Sequence, residues 1–461
     1  MRQLCQKWIS LTAVLAFFLS CVPAGAEGLP WTPSKQEGTF LILADIHFDP
    51  FADPALVSQL AASPVDQWQS ILETSKITQF STYGKDTNYP LFKSSLEESA
   101  RVDGNCDYVL VNGDYISHHF RAVFTKTLHG SEKAYQDFVL KTVVFVSRQV
   151  QQAFPNVPCY FCLGNNDSDC DDYGGLTPDT PFLSTLAKEW AVVAKDPEAV
   201  KTFLRGGYYT VARPTLSGRR FVVFNDVSWS GKYEPACHDP GTIGQDELAW
   251  LGKVFQDARR NNERITLITH MPPGMNGRNA SVHEDRAKDQ KTYYKQDYLW
   301  PFLNLLAPYR DLIDAEFTGH THMDDFRVMV DRKGKPAFFT HIAPAVSPVH
   351  NNNPGFQVML YDKESGEIKD MATYYTPLDA PGSPWKLEYD FREAYSLPAY
   401  NLDSLISLAN AIENDPAVRA KFIQYMPVSC TDDPPATLAN WRFYGCAHLN
   451  MDPHSYKNCY Q

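Results

Sequence analysis

Residues 39–47 read TFLILADIH, five consecutive apolar residues running straight into an acid and a histidine two positions apart. An apolar run of this length ending in polar sequence reads as a buried strand entering a loop. The same event recurs four times. YVLVN leads into Gly113-Asp114, CYFCL into Gly164-Asn165-Asn166-Asp167, ITLIT into His270, and DAEFT into Gly319-His320-Thr321-His322. In open α/β sheets, ligands collect at the carboxyl ends of strands. The side chains pooled there are Asp45 and Asp114, the amide of Asn165, and the imidazoles of His47, His270, His320 and His322. Oxygen and nitrogen donors of this kind suit zinc, iron or manganese. A lone Gly-Asp or Asp-x-His arises by chance; the ordered set of five strand ends predicts a metal site.

Outward from these fragments, β-like runs alternate with helical patterns from residue 40 to about 375, which argues an α/β fold. Helical patterns cover residues 91–102, 132–154, 181–194 and 245–261. The segment from Asp49 to Asn105 is expected to add helices or a cap near the site rather than another ligand. A turn-rich stretch, 377–384, marks a boundary, and residues 402–423 read as one helix before a cysteine-bearing tail. With 461 residues the chain exceeds a usual single core. The expected division is a leader over 1–26, a main domain over 38–376 and a helical module over 385–461.

The leader reading rests on Arg2 and Lys7, the apolar run from Ile9 to Leu19, and the small residues Ala24-Gly25-Ala26. The apolar run is short of the roughly 20 residues that span a bilayer. Cys21 raises a lipid-anchored alternative, but Phe18-Leu19-Ser20 is a poor context for one. Export to a secreted or periplasmic location is therefore expected, with no transmembrane segment. The chain is acidic, with a formal net charge of −12, and loses two further positive charges with the leader. Such a surface disfavours nucleic-acid binding, and a small phosphate-ester substrate would be drawn in locally by a dinuclear cation centre. A monomer is expected. Beyond the leader stand Cys106, Cys159, Cys162, Cys170, Cys237, Cys430, Cys446 and Cys459. An even number in an exported chain favours disulfides. The last three read as staples of the terminal module, with Cys446–Cys459 first. Cys159 and Cys162 lie inside a strand-like run, which disfavours a redox pair.

Asp45 and His47 at i and i+2 point to one side in extended backbone, and His320 and His322 share that spacing. Two such forks facing each other can hold two metals. Asp114 is the natural bridge, because a carboxylate has two oxygens and an imidazole cannot bridge. Two metals lower the pKa of a shared water and clamp phosphoryl oxygens during in-line attack.

The stretches HDPGTIGQDELAWLGKVFQDAR, ITLITHMPPG, FTGHTHMDDFRV, IAPAVSPVHNNNPGFQVMLYD, WKLEYDFREAY and FYGCAHLNMDPHSYKNC, taken with the metal fragments, resemble the acid sphingomyelinase-like phosphodiesterases within the calcineurin-like metallophosphoesterases. The likeness runs from about Phe40 to the end. It implies a four-layer αββα sandwich with two central mixed sheets, a small disulfide-stapled helical C-terminal subdomain, and two divalent ions, zinc first with iron or manganese as alternatives. By resemblance, one ion takes Asp45, His47, Asp114 and His322, and the other Asp114, Asn165, His270 and His320. The family places a histidine four residues after the bridging aspartate, which here is His118. In the loop beyond a ligand it could protonate a leaving oxygen. The family also places a histidine directly after the metal-binding asparagine, where this chain has Asn166. An amide can hydrogen-bond a phosphoryl oxygen but is no general acid. An Asn-Asn-Asp pattern occurs in endopolyphosphatase-like relatives. That departure, and the short stretch before the first strand with no room for a saposin-like module, turn the expectation from sphingomyelin toward nucleotide-like phosphate esters.

The expected function is an exported dinuclear-metal phosphodiesterase. The alternatives are a phosphomonoesterase, nucleotide phosphohydrolase or endopolyphosphatase, and, from another class, a catalytically silent metal-binding or host-interaction protein. Asp167, Asp169, Asp171 and Asp172 read as a solvated turn, since they lack the glycine and terminal glutamate of a calcium loop. Residues 291–298 and Trp300 read as helix surface and core. Asn279-Ala-Ser281 and Asn166-Asp-Ser168 are glycosylation sequons, the second lying within the site.

Overall fold

The computed structural model describes residues 28–233, 241–282, 291–331, 333–380 and 382–461. The expected leader, with Cys21, and Cys237 lie outside the described residues. The twelve described strands are β1 (Glu37–Leu43), β2 (Tyr108–Val111), β3 (Cys159–Phe161), β4 (Tyr209–Ala212), β5 (Arg219–Val223), β6 (Arg264–Ile268), β7 (Ile313–Thr318), β8 (Asp325–Val330), β9 (Pro336–Ile342), β10 (Gly355–Asp362), β11 (Ile368–Tyr375) and β12 (Lys386–Asp390). They form two six-stranded sheets, ordered β12-β11-β10-β1-β2-β3 and β4-β5-β6-β7-β9-β8. The TFLIL run is a central strand, parallel to β2 on one side and antiparallel to β10 on the other. Both sheets are mixed, with β1-β2-β3 and β5-β6-β7-β9 as their parallel parts.

The sheets meet face to face through aromatic rings. Phe40 stacks on Tyr108 at 4.7 Å and meets Phe317 edge-on at 5.4 Å, while Tyr108 meets Phe221 at 5.1 Å. Helices cover the outer faces. The helix Glu132–Ala153 starts at Ser131, whose hydroxyl accepts the Ala134 N–H, and buries Tyr135, Phe138, Val139, Thr142, Val143, Val146 and Val150 at helical spacing. Across the second sheet, Leu251, Phe255, Phe302 and Leu303 pack on Leu267, Ile265 and Ile313. These layers make the αββα sandwich.

Two expected helices are broken. The 181–194 pattern becomes Pro181–Glu189 and Ala191–Ala194, interrupted where Trp190 turns extended and its indole donates to Ser147 at 3.0 Å. The 402–423 pattern becomes Leu402–Asn414 and Pro416–Tyr425. Pro416 has no N–H to continue the first helix, and Asp415 caps the second. After the turn-rich stretch, β12 first adds an edge strand to the first sheet, and the helical module follows. Cys446–Cys459 is a disulfide that closes this module. The module docks through His448, whose Nε2 lies 2.8 Å from Asp325 Oδ1 and whose ring stacks on Phe326 at 4.1 Å.

Cysteine usage departs from expectation. Cys170 is disulfide-bonded, but Cys106, Cys159, Cys162 and Cys430 are buried thiols, so Cys430 is not a staple. Cys159 and Cys162 are three apart, and residues at odd spacing along extended chain face opposite sides. Among the described residues no helix is long and apolar enough to cross a membrane.

Candidate metal centre

The parallel strands β1, β2, β3, β6 and β7 all end at one edge, and each polar fragment begins one to three residues beyond its strand. The backbone there is not extended, as the i, i+2 argument assumed. Asp45, His47, Asp114, His320 and His322 all take positive φ, between 43° and 69°. Each such residue costs of order 1–2 kcal/mol. Backbone bonds across the loops hold them there. Asp45 N–H donates to Gly113 O, His47 N–H to Asp114 O, and Gly319 N–H to His270 O. The His320 N–H reaches Asp45 carboxylate oxygens at 3.0 and 2.9 Å, tying the two sheets together at the site. Glycines make the close approach possible. A Cβ on Gly113, itself at φ +81°, would sit 2.6 Å from Gly164 N, and one on Gly164 would sit 2.2 Å from Asp114 Oδ1.

All seven side chains singled out as ligands come together. The Oδ2 atom of Asp114 lies 3.3 Å from His47 Nε2 and 3.3 Å from His270 Nε2. On one side His47 Nε2 is 3.1 Å from His322 Nε2, which is 3.6 Å from Asp45 Oδ1. On the other side His270 Nε2 is 3.0 Å from Asn165 Oδ1 and 3.1 Å from His320 Nδ1. His47 Nδ1 faces the Ile116 carbonyl at 2.9 Å and His270 Nδ1 the Asn112 carbonyl at 2.7 Å. A carbonyl only accepts, so both Nδ1 atoms carry a proton and both Nε2 atoms face the centre, each free to bind a cation once its ring is neutral. Ring nitrogens and oxygens converging at about 3 Å, with His322 Nδ1 buried and unpartnered, are a donor set that fits divalent cations.

Charge at the centre is strongly conditioned by burial. Burial, with His118 beside it, lowers His47 to about 4. Burial also holds His320 and His322 well below the usual imidazole value. Neutral imidazole is the metal-binding form. For His270, burial is outweighed by the adjacent Asp114 carboxylate, which pushes it up to about 10. Burial likewise pushes Asp45 up to about 8. For Asp114, burial is overcome by His270, His47 and the Asn166 N–H, which hold it well below the carboxylate range.

His118 stacks on His47 at 4.0 Å. Its Nδ1 and backbone N–H both meet Asp86, at 2.9 and 2.8 Å, leaving Nε2 as the free ring nitrogen. Burial works against its charged form, but the Asp86 hydrogen bond and charge prevail and raise its pKa. Asn166 is placed differently from a substrate contact. It is buried, and its backbone N–H and side-chain amide donate to Asp114 Oδ1 and Oδ2 at 2.8 and 2.9 Å. The sequon at Asn166 is therefore enclosed.

Sequence reasoning missed several partners. Asp86 lies in the segment expected to hold no ligand, and a Lys-Asp-Thr turn carries no signal of its own. The acidic cluster is no solvated turn at its start. Asp167 is 1% exposed and accepts the N–H groups of Asp114, Tyr115 and Gly164. Asp172 accepts from Asn165 Nδ2 at 2.7 Å, which aims that amide's oxygen at His270. The centre opens into a cavity of about 410 Å³, lined among others by His118, His350, Lys232, Arg278, Tyr293 and Tyr444. Residues 291–298 are expected to be helix surface and core, but the helix begins only at Gln296 and the Tyr293 ring stands 5.2 Å from His320.

Comparison with known proteins gives the family. The family model described as calcineurin-like phosphoesterase matches residues 38–324, more than half of the chain. The model described as acid sphingomyelin phosphodiesterase C-terminal region matches residues 335–461. Acid sphingomyelinase-like phosphodiesterase 3b of Mus musculus is 26% identical over 427 residues, covering 87% of this chain and 85% of its own. Cyclic GMP-AMP phosphodiesterase SMPDL3A of Homo sapiens is 25% identical over 460 residues, covering 96% of this chain and 93% of its own. Among solved structures, a dimetal phosphatase from Danio rerio aligns over 74% of this chain and 96% of its own, at 13% identity and a TM-score of 0.43.

Proposed function

The chain belongs to the calcineurin-like phosphoesterase family, among the acid sphingomyelinase-like phosphodiesterases, and on that premise we propose that it is an exported phosphodiesterase with a dinuclear metal centre. The observation that carries the reading is Asp114 Oδ2 lying equidistant, at 3.3 Å, between the two histidine groups. Asp45, His47, Asp114 and His322 would hold one ion, and Asp114, Asn165, His270 and His320 the other. Two such ions, zinc first by donor type with iron or manganese as alternatives, would supply an activated water and charge stabilisation for in-line displacement at phosphorus.

The chain's own residues do the rest. His47 and His270 are fixed in one tautomer by backbone carbonyls. Asn166 and Asp167 hold Asp114 and its loop from behind. His118 gives the proton on Nε2 to the departing alcohol oxygen, while Asp86 orients the ring and stabilises its charged form. Asn166 has no proton to give at accessible pH, so His118 carries that step alone. The relatives include one named for cyclic GMP-AMP, and a nucleotide-like phosphodiester is the substrate class proposed here. Export is supported by the apolar leader with its small-residue end. The main domain over 38–376 and the module over 385–461 are proposed as the working division.

The test is turnover of bis(4-nitrophenyl) phosphate by metal-replete protein. Asp114→Asn and His320→Ala are each expected to lower kcat at least a thousandfold with the fold retained by circular dichroism. Near-normal turnover by both variants refutes the assignment.

A further inference from the structure

The loop between β9 and β10 brings to the cavity a histidine that the chemistry above does not use. His350 lines the cavity together with His118 and His322. Its ring stands 4.4 Å from that of His322, a proposed ligand, and 5.5 Å from that of His118, the proposed proton donor. Two other buried histidines are engaged inside the protein. His341 meets the Tyr400 hydroxyl and Gln357 Oε1 at 2.6 and 2.7 Å, and His448 meets Asp325. His350 is half-buried, and neither of its ring nitrogens bonds a protein group among the described residues.

Polar bonds on both sides hold the loop that carries this ring. At its start the Ser347 N–H donates to the Asp45 carbonyl at 3.1 Å. The Ser347 hydroxyl donates at 3.2 Å to Asp86 Oδ1, the same oxygen that holds His118 Nδ1. The Gly84 N–H donates to the Pro348 carbonyl. Beyond His350, three asparagine side chains brace the chain. Asn352 Nδ2 donates to the Ser347 carbonyl at 3.0 Å, and Asn351 Nδ2 to the Asp433 carbonyl at 3.1 Å. Asn353 accepts from the Tyr83 hydroxyl at 2.6 Å and donates to the Val428 carbonyl at 2.9 Å. The loop is thus fastened to the main domain and to the terminal module, while the polar atoms of His350 are left to the cavity. A supported backbone carrying an unengaged polar group is the build of a ligand contact.

Resting on the phosphodiesterase reading above, we propose that His350 binds the scissile phosphoryl group, donating a ring N–H to one of its non-bridging oxygens. An imidazole keeps an N–H in either charge state, so the contact does not depend on titration of the ring. Rings 5.5 Å apart reach neighbouring oxygens of one tetrahedral group, so His118 can serve the leaving oxygen while His350 serves a non-bridging one. Asn166, the residue expected from sequence to offer a phosphoryl contact, is engaged with Asp114 instead. His350 supplies that contact from another loop. A single donor aimed at an oxygen that gains charge in the transition state is worth about 10²–10³ in kcat where water is excluded. His350 is only half-buried, so a smaller factor is expected here.

Two replacements separate a phosphoryl contact from ring packing. His350→Phe keeps an aromatic ring beside His322 and removes the donor, whereas His350→Gln loses the ring and keeps an N–H. On metal-replete protein, His350→Phe is expected to lower kcat/KM by about tenfold or more, equally on bis(4-nitrophenyl) phosphate and on an alkyl phosphodiester. It is also expected to weaken competitive inhibition by inorganic phosphate by about threefold or more. His350→Gln is expected to recover most of both losses, and both variants to keep the metal content of wild type. Unchanged kcat/KM and phosphate inhibition in His350→Phe overturn the contact. A Gln variant no better than Phe overturns it in favour of ring packing, and a loss of ions in favour of support for His322. A larger loss on the alkyl ester overturns it in favour of proton donation. His350→Ala gives the same reading if the phenyl ring does not fit. Failure of wild type to hydrolyse either ester overturns the phosphodiesterase reading instead.

Discussion

At the scale of single residues, His118 is the side chain on which the proposed chemistry turns. Its Nδ1 is committed to Asp86 at 2.9 Å and its ring is stacked on a proposed metal ligand, so Nε2 is the only atom with a proton to spare. His118→Gln keeps a hydrogen-bonding side chain but removes the acid, and is expected to lower kcat about 10²- to 10⁴-fold on an alkyl phosphodiester. The loss should shrink on the 4-nitrophenyl ester, whose leaving group needs no proton. Equal losses on both esters would remove His118 from the proton-transfer role. The seven donor residues were legible in the sequence because each ends an apolar run, and that pattern survives without tertiary information. Asp86 and Asp172 were not, because each acts through a side chain that only the folded loops bring to it: His118, 32 residues away, and Asn165 across the acidic turn. Asn166 was legible as a departure from the family pattern, but its bond to Asp114 was not.

At the scale of elements, what positions the site is the turn after each strand. The expected fork geometry assumed extended backbone, whereas the chain turns left-handed at five of the seven donors. A left-handed turn at a non-glycine residue leaves only a weak trace in sequence, the preference for Asp, Asn or His, and the surrounding bonds decide which of them adopt it. Gly164 is the neighbour with least room. Gly164→Ala would press its Cβ onto Asp114 Oδ1, 2.2 Å away, displacing the carboxylate proposed to bridge the ions. Activity is expected to fall at least tenfold while the fold melts cooperatively; unchanged kcat/KM would show that the turn does not set the carboxylate. The helix breaks at Trp190 and Asp415 were also hidden, the first because a single indole–hydroxyl bond 43 residues apart decides it. The second could have been read from Pro416, which cannot continue a helix.

At the scale of the whole molecule, burial of two sheets and their helices encloses acids that are not among the proposed ligands. Glu316, on β7, is fully buried, and burial pushes its pKa from 4.5 up to about 8; Glu247 is raised well above its usual value for the same reason. As pH rises through the window from about 4.5 to 8, the unfolded chain ionises Glu316 while the folded chain keeps it neutral. The unfolded state then binds fewer protons, so stability falls with pH over that window. Glu316→Gln removes the loss. It is expected to gain on the order of 2 kcal/mol over wild type near pH 7.5 and nothing near pH 4, read by denaturant unfolding at the two pH values. An equal difference at both would assign the effect to packing. The same enclosure couples the terminal module to the core through Asp325 and His448, which composition and periodicity could not show.

Metal content and turnover of bis(4-nitrophenyl) phosphate, measured on the same preparation of metal-replete protein, decide whether one chain assembles a two-ion centre around Asp114 and hydrolyses phosphodiesters with it. Two divalent ions per chain together with hydrolysis are expected, both lost in Asp114→Asn. Fewer than two ions per chain, with no ester hydrolysed, would contradict that expectation.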